Sequence, residues 1–303
     1  MRRALVSAIC VLGSIVSSPV AFSAPGEEFR EVLSRTTCET VSVREIEEGL
    51  FIVHLRNAKD SDIALLRALP IHTLVLESPR FAETPDFAGL ELDGLSMFDC
   101  DDLRSIDSLS KTKVKRLYIG ESQVSDIGPL AAISSLHNFS ITHSPVEDIR
   151  PLQALPLTKL NLAGTRIHDL SPIGGKHLTD LSVSGTSVSN LSALAGMHLR
   201  RVDLSYTPVT DISVLRGMPL ERLYLHECSI SDLSSLSNMR IRVFYFNPSA
   251  VSDASLAIVR RMGSLKRLGS LLTSHRDNGT APADFWRQRS DAGGRRSGPG
   301  RKQ

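Results

Sequence analysis

Cysteine is scarce in this 303-residue chain, which holds only Cys10, Cys38, Cys100 and Cys228. So few thiols exclude a disulfide framework, and an odd count after loss of a leader leaves a reactive thiol or an intermolecular bridge open. Catalytic signatures are missing too. There is no Gly-x-Ser-x-Gly, no His-Glu-x-x-His, no paired Cys-x-x-Cys and no phosphate-binding loop. His226-Glu227-Cys228 continues wrongly for a zinc helix. The expectation is a chain that is not an enzyme and takes no metal and no cofactor. Residues 24–272 lack any excess of positive charge, with 26 basic against 30 acidic side chains, which argues against a nucleic-acid reader. Aromatic residues make up only 5%. Past the first 23 residues no apolar run approaches the ~20 residues that a membrane span needs.

What is present begins at the N-terminus. Arg2 and Arg3 precede an apolar stretch from Ala4 to Val16, and Ala21-Phe22-Ser23 offers small residues for cleavage before Ala24. That is the three-part pattern of a secretory signal. The expected address is therefore secreted, periplasmic or cell surface, with no transmembrane span after cleavage.

The next feature is a period. Leu50, Ile71, Leu92, Val114, Leu136, Leu157, Leu178, Leu199, Leu220 and Ile241 follow one another at steps of 21 or 22 residues. Three positions on stand Val53, Leu74, Leu95, Leu117, Phe139, Leu160, Leu181, Val202, Leu223 and Phe244. Two further on stand Leu55, Leu76, Met97, Ile119, Ile141, Leu162, Val183, Leu204, Leu225 and Phe246. The alternation predicts a short strand in each unit, with one face inward. One such strand cannot bury its own apolar face, so the units must stack in a parallel sheet.

The second half of each unit carries an acid ahead of an apolar pair, as in Asp126-Ile127, Asp148-Ile149, Asp169-Leu170, Asp211-Ile212 and Asp232-Leu233, with Pro129, Pro151 or Pro172 following in three units. Asp before such a run, and Pro near a helix start, are capping chemistry, so these acids read as caps of a short 3₁₀-like return segment. Eight positions after the first Leu stand Ser122, Ser144, Thr165, Thr186, Thr207, Cys228 and Ser249, with Cys100 earlier. This column reads as small inward side chains bonded to backbone, which makes Cys100 and Cys228 buried small residues. Cys38 stays unplaced.

The Leu-x-x-Leu-x-Leu units resemble bacterial leucine-rich repeats of the 21–22-residue, internalin-like kind, with Thr or Ser where Asn is commoner. The stretch Leu157-Thr-Lys-Leu160-Asn-Leu162-Ala-Gly-Thr165-Arg-Ile167-His-Asp169-Leu170-Ser-Pro172 is similar to the planctomycete-type form. Residues 282–293 resemble a segment that closes such arrays in repeat-bearing kinases of those organisms. No Gly-rich loop after a strand and no Asp-Phe-Gly accompanies it, so the resemblance is to the array without a kinase domain. It implies an α/β fold: a leucine-rich-repeat solenoid curved like a horseshoe, its parallel β-sheet on the concave face and short turns or 3₁₀ helices on the convex face.

The expected organisation is a signal peptide over 1–23, an N-terminal cap over 24–49, and a solenoid of about ten repeats plus C-terminal cap over 50–272. The N-terminal cap is read as a helix over 26–36 and a strand from Glu39 to Ile46. The C-terminal cap is read as a helix from Asp253 to Met262 and a strand from Leu265 to Leu272. Residues 273–303 carry seven basic and three acidic side chains among Gly, Ser and Pro and read as a disordered basic tail, with Phe285 and Trp286 as apolar exceptions that could dock on the cap.

Register assigns the outward positions. The middle units present small polar residues such as Asn161, Ser182 and Ser184. Tyr118 stands out earlier, and the C-terminal units bring Arg201, Asp203, Tyr206, Arg222, Tyr224, His226 and Tyr245 within a few strands. Tyr and Arg are enriched at binding hot spots, so these eight residues form the candidate partner-binding surface. Asp99, Asp101, Asp102 and Asp107 read as a solvated loop rather than a calcium site, and His177 and His198 as an exposed pair. The resulting expectation is an exported, monomeric, non-enzymatic recognition module that binds a protein or glycan, and no nucleic acid, through its concave face. The alternative is a structural envelope spacer held by its basic tail.

Overall fold

The computed structural model describes residues 27–47, 49–270 and 280–287. The proposed signal peptide and most of the basic tail lie outside these residues. Twelve strands form one sheet in sequence order. After helix α1 (Glu27–Ser34) come β1 (Thr40–Glu47) and β2 (Leu50–Arg56), then α2 (Asp60–Leu65), β3 (Ile71–Glu77), β4 (Gly94–Phe98), β5 (Arg116–Gly120) and β6 (Asn138–Thr142). The array continues with β7 (Lys159–Asn161), β8 (Asp180–Ser182), β9 (Arg201–Asp203), β10 (Arg222–Leu225) and β11 (Val243–Phe246), and closes with α3 (Asp253–Arg260) and β12 (Arg267–Gly269).

The apolar columns set the register. Val53 pairs with Leu74, Leu74 with Leu95, and so through Leu117, Phe139, Leu160, Leu181, Val202 and Leu223 to Phe244 and Leu268. These side chains are at most 2% exposed and join one continuous core. A one-residue slip would turn every one of them outward, which is why register is so strongly specified.

The return segments are single 3₁₀ turns such as Arg150–Leu152, Ser171–Ile173, Ser192–Leu194 and Ser213–Leu215. Each is set up by the preceding acid or amide. Asp148, Asp169, Asn190, Asp211 and Asp232 each accept the backbone N–H two residues on, at 2.7–2.9 Å. The side chain thus closes a local turn one residue ahead of the formal cap position. Pro129, Pro151 and Pro172 fall where no N–H is needed.

The small polar column is buried as expected in seven of its eight places. Thr165, Thr186 and Thr207 donate to the carbonyls of Leu162, Val183 and Leu204 at 2.5–2.6 Å, Cys228 Sγ lies 3.0 Å from Leu204 O, and the Ser122 and Ser144 hydroxyls pair at 2.8 Å. Cys100 is fully buried, whereas Ser249 is exposed, because β11 is followed by a turn and α3 instead of another 3₁₀ return.

Among the described residues, each end of the parallel array meets an antiparallel partner, a full strand at one end and a single bridge at the other. At the N-terminal end β1 runs against β2, and Phe29 of α1 lies 4.4 Å from Phe51, ring to ring. At the other end Leu268 and Thr280 exchange both backbone hydrogen bonds. Residues 282–287 then form a helical turn that places Phe285, 7% exposed, against Phe246, and Trp286 under the Arg260 guanidinium. Composition alone assigned this segment to the tail; its two aromatic residues dock it on the cap.

Candidate functional site

Parallel pairing with no offset lays the candidate residues out as rows. Arg201, Arg222, Val243 and Arg267 occupy one row across β9 to β12; Asp203, Tyr224, Tyr245 and Gly269 occupy the next on the same face. The rings of Tyr224 and Tyr245 stack at 5.5 Å with 15° between planes. The Arg201 guanidinium sits 5.4 Å from the Tyr224 centroid, within cation–π range, and His226 lies 5.2 Å from Tyr245.

The sequence reading placed Tyr224, His226 and Tyr245 on an open surface. They do face outward from the sheet, yet they are only 4%, 2% and 1% exposed. Two features beyond the last repeat contribute to this. A Cβ at Gly269 would stand 2.6 Å from the Tyr245 ring, so glycine alone lets that ring lie over β12. Ser270, the next residue, returns its carbonyl to His226 Nδ1 at 3.3 Å.

What remains accessible is Tyr206, 54% exposed, with Arg222 exposed and Arg201 partly so. Tyr206 ends its strand in the left-handed region at φ +58°, its N–H held by His226 O at 2.7 Å. The same place is glycine in the two preceding repeats, Gly164 and Gly185 at φ +70° and +67°, but Asn57, Ser78, Asp99, Glu121, His143 and Glu227 hold it at φ +48° to +57°, so the left-handed turn is a regular feature of the repeat. A side chain there costs roughly 1–2 kcal/mol.

The electrostatics follow burial. Burial holds the Asp203 carboxyl above the usual carboxylate range, against the Ser205 N–H that hydrogen-bonds it at 3.0 Å. Burial also lowers the His226 imidazole below its ordinary value, although the Ser270 carbonyl and Asp203 both favour its charged form. Its Nε2 is buried without a hydrogen-bond partner.

Tyr118 does not join this group. It is half-buried on β5, four strands from β9 and thus about 19 Å away along the sheet. Among the described residues no group of three or more His, Cys, Asp or Glu is placed to hold a metal, and the three described cysteines are free. His177 and His198 are exposed. Sequence reasoning placed Val243 on the outward row but missed Gly269 and Ser270, because nothing in the repeat consensus marks the point where the array stops.

Neither a protein-family model nor a curated protein matches the sequence. Among solved structures the chain is similar to an internalin (inlF) from Listeria monocytogenes, 20% identical over 73% of this chain and 67% of that one, with a TM-score of 0.61. The fold is a leucine-rich-repeat solenoid. An internalin C2 (inlC2) from the same organism is 18% identical over 73% of the solenoid chain and 80% of its own, with a TM-score of 0.42. A Leptospira interrogans LRR protein is 16% identical, covering 67% and 55%, with a TM-score of 0.49. No helix among the described residues is long and apolar enough to cross a membrane.

Proposed function

We propose that this leucine-rich-repeat solenoid is an exported, non-enzymatic module that recognises a protein through the concave face of its C-terminal repeats. The observation that carries the reading is Tyr206. It is a large ring, half exposed, at the strand-end position where the other repeats carry Asn57, Ser78, Asp99, Glu121, His143, Gly164, Gly185 and Glu227. An exposed aromatic ring where the other repeats carry small, polar or charged residues points to a contact surface, because the repeat itself asks for no large ring there. Around it Arg201 and Arg222 supply positive charge beside the Asp203 carboxyl, and the stacked pair Tyr224 and Tyr245, with His226, forms a floor. Rigid aromatic and Arg anchors on a stiff sheet lose little entropy on binding. Export is supported by the basic, apolar and small-residue order of residues 1–23.

The test is a crosslinking pull-down with the full chain from the source organism's envelope fraction, beside the same bait carrying Tyr206→Ala and Arg222→Glu. A protein captured by the first and lost by the second supports the reading. Equal capture by both baits, or capture of a glycan alone, would sink it.

A further inference from the structure

We propose that the outward face of β3 to β6 is a second docking surface, whose occupant is an extended peptide segment bearing Arg. Its centre on β4 and β5 lies roughly 20 Å along the sheet from β9, so it stands or falls apart from the Tyr206 reading. Two rows of outward side chains cross it. Val75, Ser96, Tyr118 and Ser140 stand side by side in one. Glu77 and Phe98 pair in the next, and the Phe98 ring leans over β5, where a Cβ at Gly120 would stand 3.7 Å from it. Ser96, Gly120 and Ser140 are buried although they face outward, while Val75, Phe98 and Tyr118 are partly exposed. The small residues are therefore the floor of a shallow groove, and the larger ones are its walls.

The strand-end edge of this groove is acidic. Glu77 ends β3, and the left-handed residues that follow β4 and β5 are Asp99 and Glu121, one strand spacing or about 4.8 Å apart. Desolvation and the charges of Glu77 and Asp101 hold the Asp99 carboxyl above the usual carboxylate range; desolvation with Asp99 and Asp101 does the same to Glu121. The acids thus repel one another. Arg56 opposes this at Asp99, but among the described residues no cation reaches Glu121. Arg56 also lies 3.9 Å from Glu77, and Arg116 at the other edge of the groove is held by Asp93 at 2.8 Å. A cation brought from outside relieves the repulsion, and this charge complementarity decides the occupant.

Rings beside carboxylates are the chemistry that selects a guanidinium. The face of an aromatic ring attracts a cation, and the planar fork of Arg donates two hydrogen bonds to one carboxylate while its plane stacks on a ring. Phe98 and Tyr118 hold diagonal positions on neighbouring strands, about 7–8 Å apart at the backbone, with Asp99 and Glu121 next to them in sequence or register. An extended peptide carries alternate side chains about 6.6 Å apart, so Arg residues at alternate positions can reach one acid on each of two strands. The same acids repel a phosphate backbone, which leaves a peptide as the polymer that fits.

The experiment titrates the full chain into a fluorescein-labelled decapeptide of alternating Arg and Ala and follows anisotropy at low salt and at about 0.3 M salt, where surface charge is largely screened. The expected result is saturable, salt-sensitive binding. It should weaken about tenfold or more in Asp99→Asn/Glu121→Gln, a loss the size of one or two charge-assisted bonds, and about threefold in Phe98→Leu, which removes the ring and keeps the apolar wall. Binding should be unchanged in Glu147→Gln/Glu221→Gln, exposed acids elsewhere on the solenoid. Asn and Gln preserve side-chain size, Asn tolerates the left-handed backbone, and the pair relieves repulsion, so the Tm of Asp99→Asn/Glu121→Gln should not fall. Absence of saturable binding, equal weakening in the two acid pairs, or native affinity in Phe98→Leu overturns the proposal. So does a sedimentation coefficient of the native chain that rises with concentration and is reset by Asp99→Asn/Glu121→Gln, which would seat a second copy on this face. Tighter binding of a synthetic peptide of residues 288–303 than of the decapeptide would give the face to the chain's own basic segment instead of a partner. Loss of the pull-down protein with Tyr206→Ala alone leaves this surface to be judged by the titration.

Discussion

Two single residues bear on stability in opposite ways. Tyr206 holds a left-handed backbone without glycine. Comparing Tyr206→Gly with Tyr206→Ala removes the ring in both and isolates the backbone; glycine should be more stable by about 1 kcal/mol, roughly 2–4 °C in Tm. Equal melting of the two variants would show that the position is unstrained. Asp62 is the opposite case, a fully buried carboxylate that ties the N-terminal cap to the array. It accepts from Thr37 N at 2.6 Å, Thr37 Oγ1 at 3.1 Å and Lys59 N at 2.8 Å, with Cys38 Sγ 3.5 Å away. Burial pushes its pKa up, yet these donors outweigh burial and hold it below the usual range. A depressed native value means stability that is present above the unfolded value near 4 and lost as pH falls through the native one. Asp62→Asn should cost about 1–3 kcal/mol at neutral pH and flatten the acid limb of a stability–pH profile. An unchanged acid limb would rule Asp62 out as its source. The same contact answers the odd cysteine: burial and the Asp62 charge push the Cys38 thiol up to about 12, so it stays a protonated, unreactive thiol at neutral pH.

Among the elements, the last three strands behave differently from the repeats before them. His226 leaves β10 toward Ser270, with Tyr245 against its ring and Asp203 and Glu227 as the acids nearest in charge. Its lowered value means that the unfolded chain takes up a proton more readily than the native one. Stability at this end is therefore complete above the ordinary value near 6.5 and declines as pH falls through it. Urea midpoints measured at pH 7.5 and about 5.5 should differ in the native sequence and converge in His226→Gln; a slope that persists in the variant would assign it to another group. The strands themselves were legible from the sequence. The columns through Val53 and Leu55 predicted every parallel pairing from β2 to β11, because one buried face per strand admits one register. The caps of the 3₁₀ turns were legible for the same reason, since Asp before an apolar pair closes one kind of turn. The burial of Tyr224, His226 and Tyr245 was not. It depends on Gly269 and Ser270, which lie past the last repeat and outside any periodicity. The Asp62 contact with Thr37 was equally hidden, because it joins the cap to the array across 25 residues.

The whole molecule is a one-dimensional stack, so its stability is a sum of neighbour contacts and its ends decide where unfolding begins. The N-terminal end is held by a full antiparallel strand and the Asp62 hub. Among the described residues, the C-terminal end is held by the Leu268–Thr280 pair of backbone hydrogen bonds and by the docked helical turn around Phe285. That asymmetry predicts that the C-terminal cap opens first. The chain's only tryptophan reports it directly, because Trp286 meets Phe285 edge-on at 5.1 Å and lies 4.7 Å from the Arg260 guanidinium. Far-UV circular dichroism reports the array instead. Phe285→Ala removes a ring that is 7% exposed and should cost the cap about 3 kcal/mol. In that variant the fluorescence midpoint in urea should fall well below the circular dichroism midpoint, while β1 to β9 keep their cooperativity. Non-coincident transitions are the signature of a unit that opens by itself. Coincident transitions in the variant would mean instead that the helical turn and the array melt as one body. Residues 280–287 would then belong to the solenoid proper and could not release Ser270 from His226 independently, so the covered Tyr224–Tyr245 floor would be a fixed wall of the binding face.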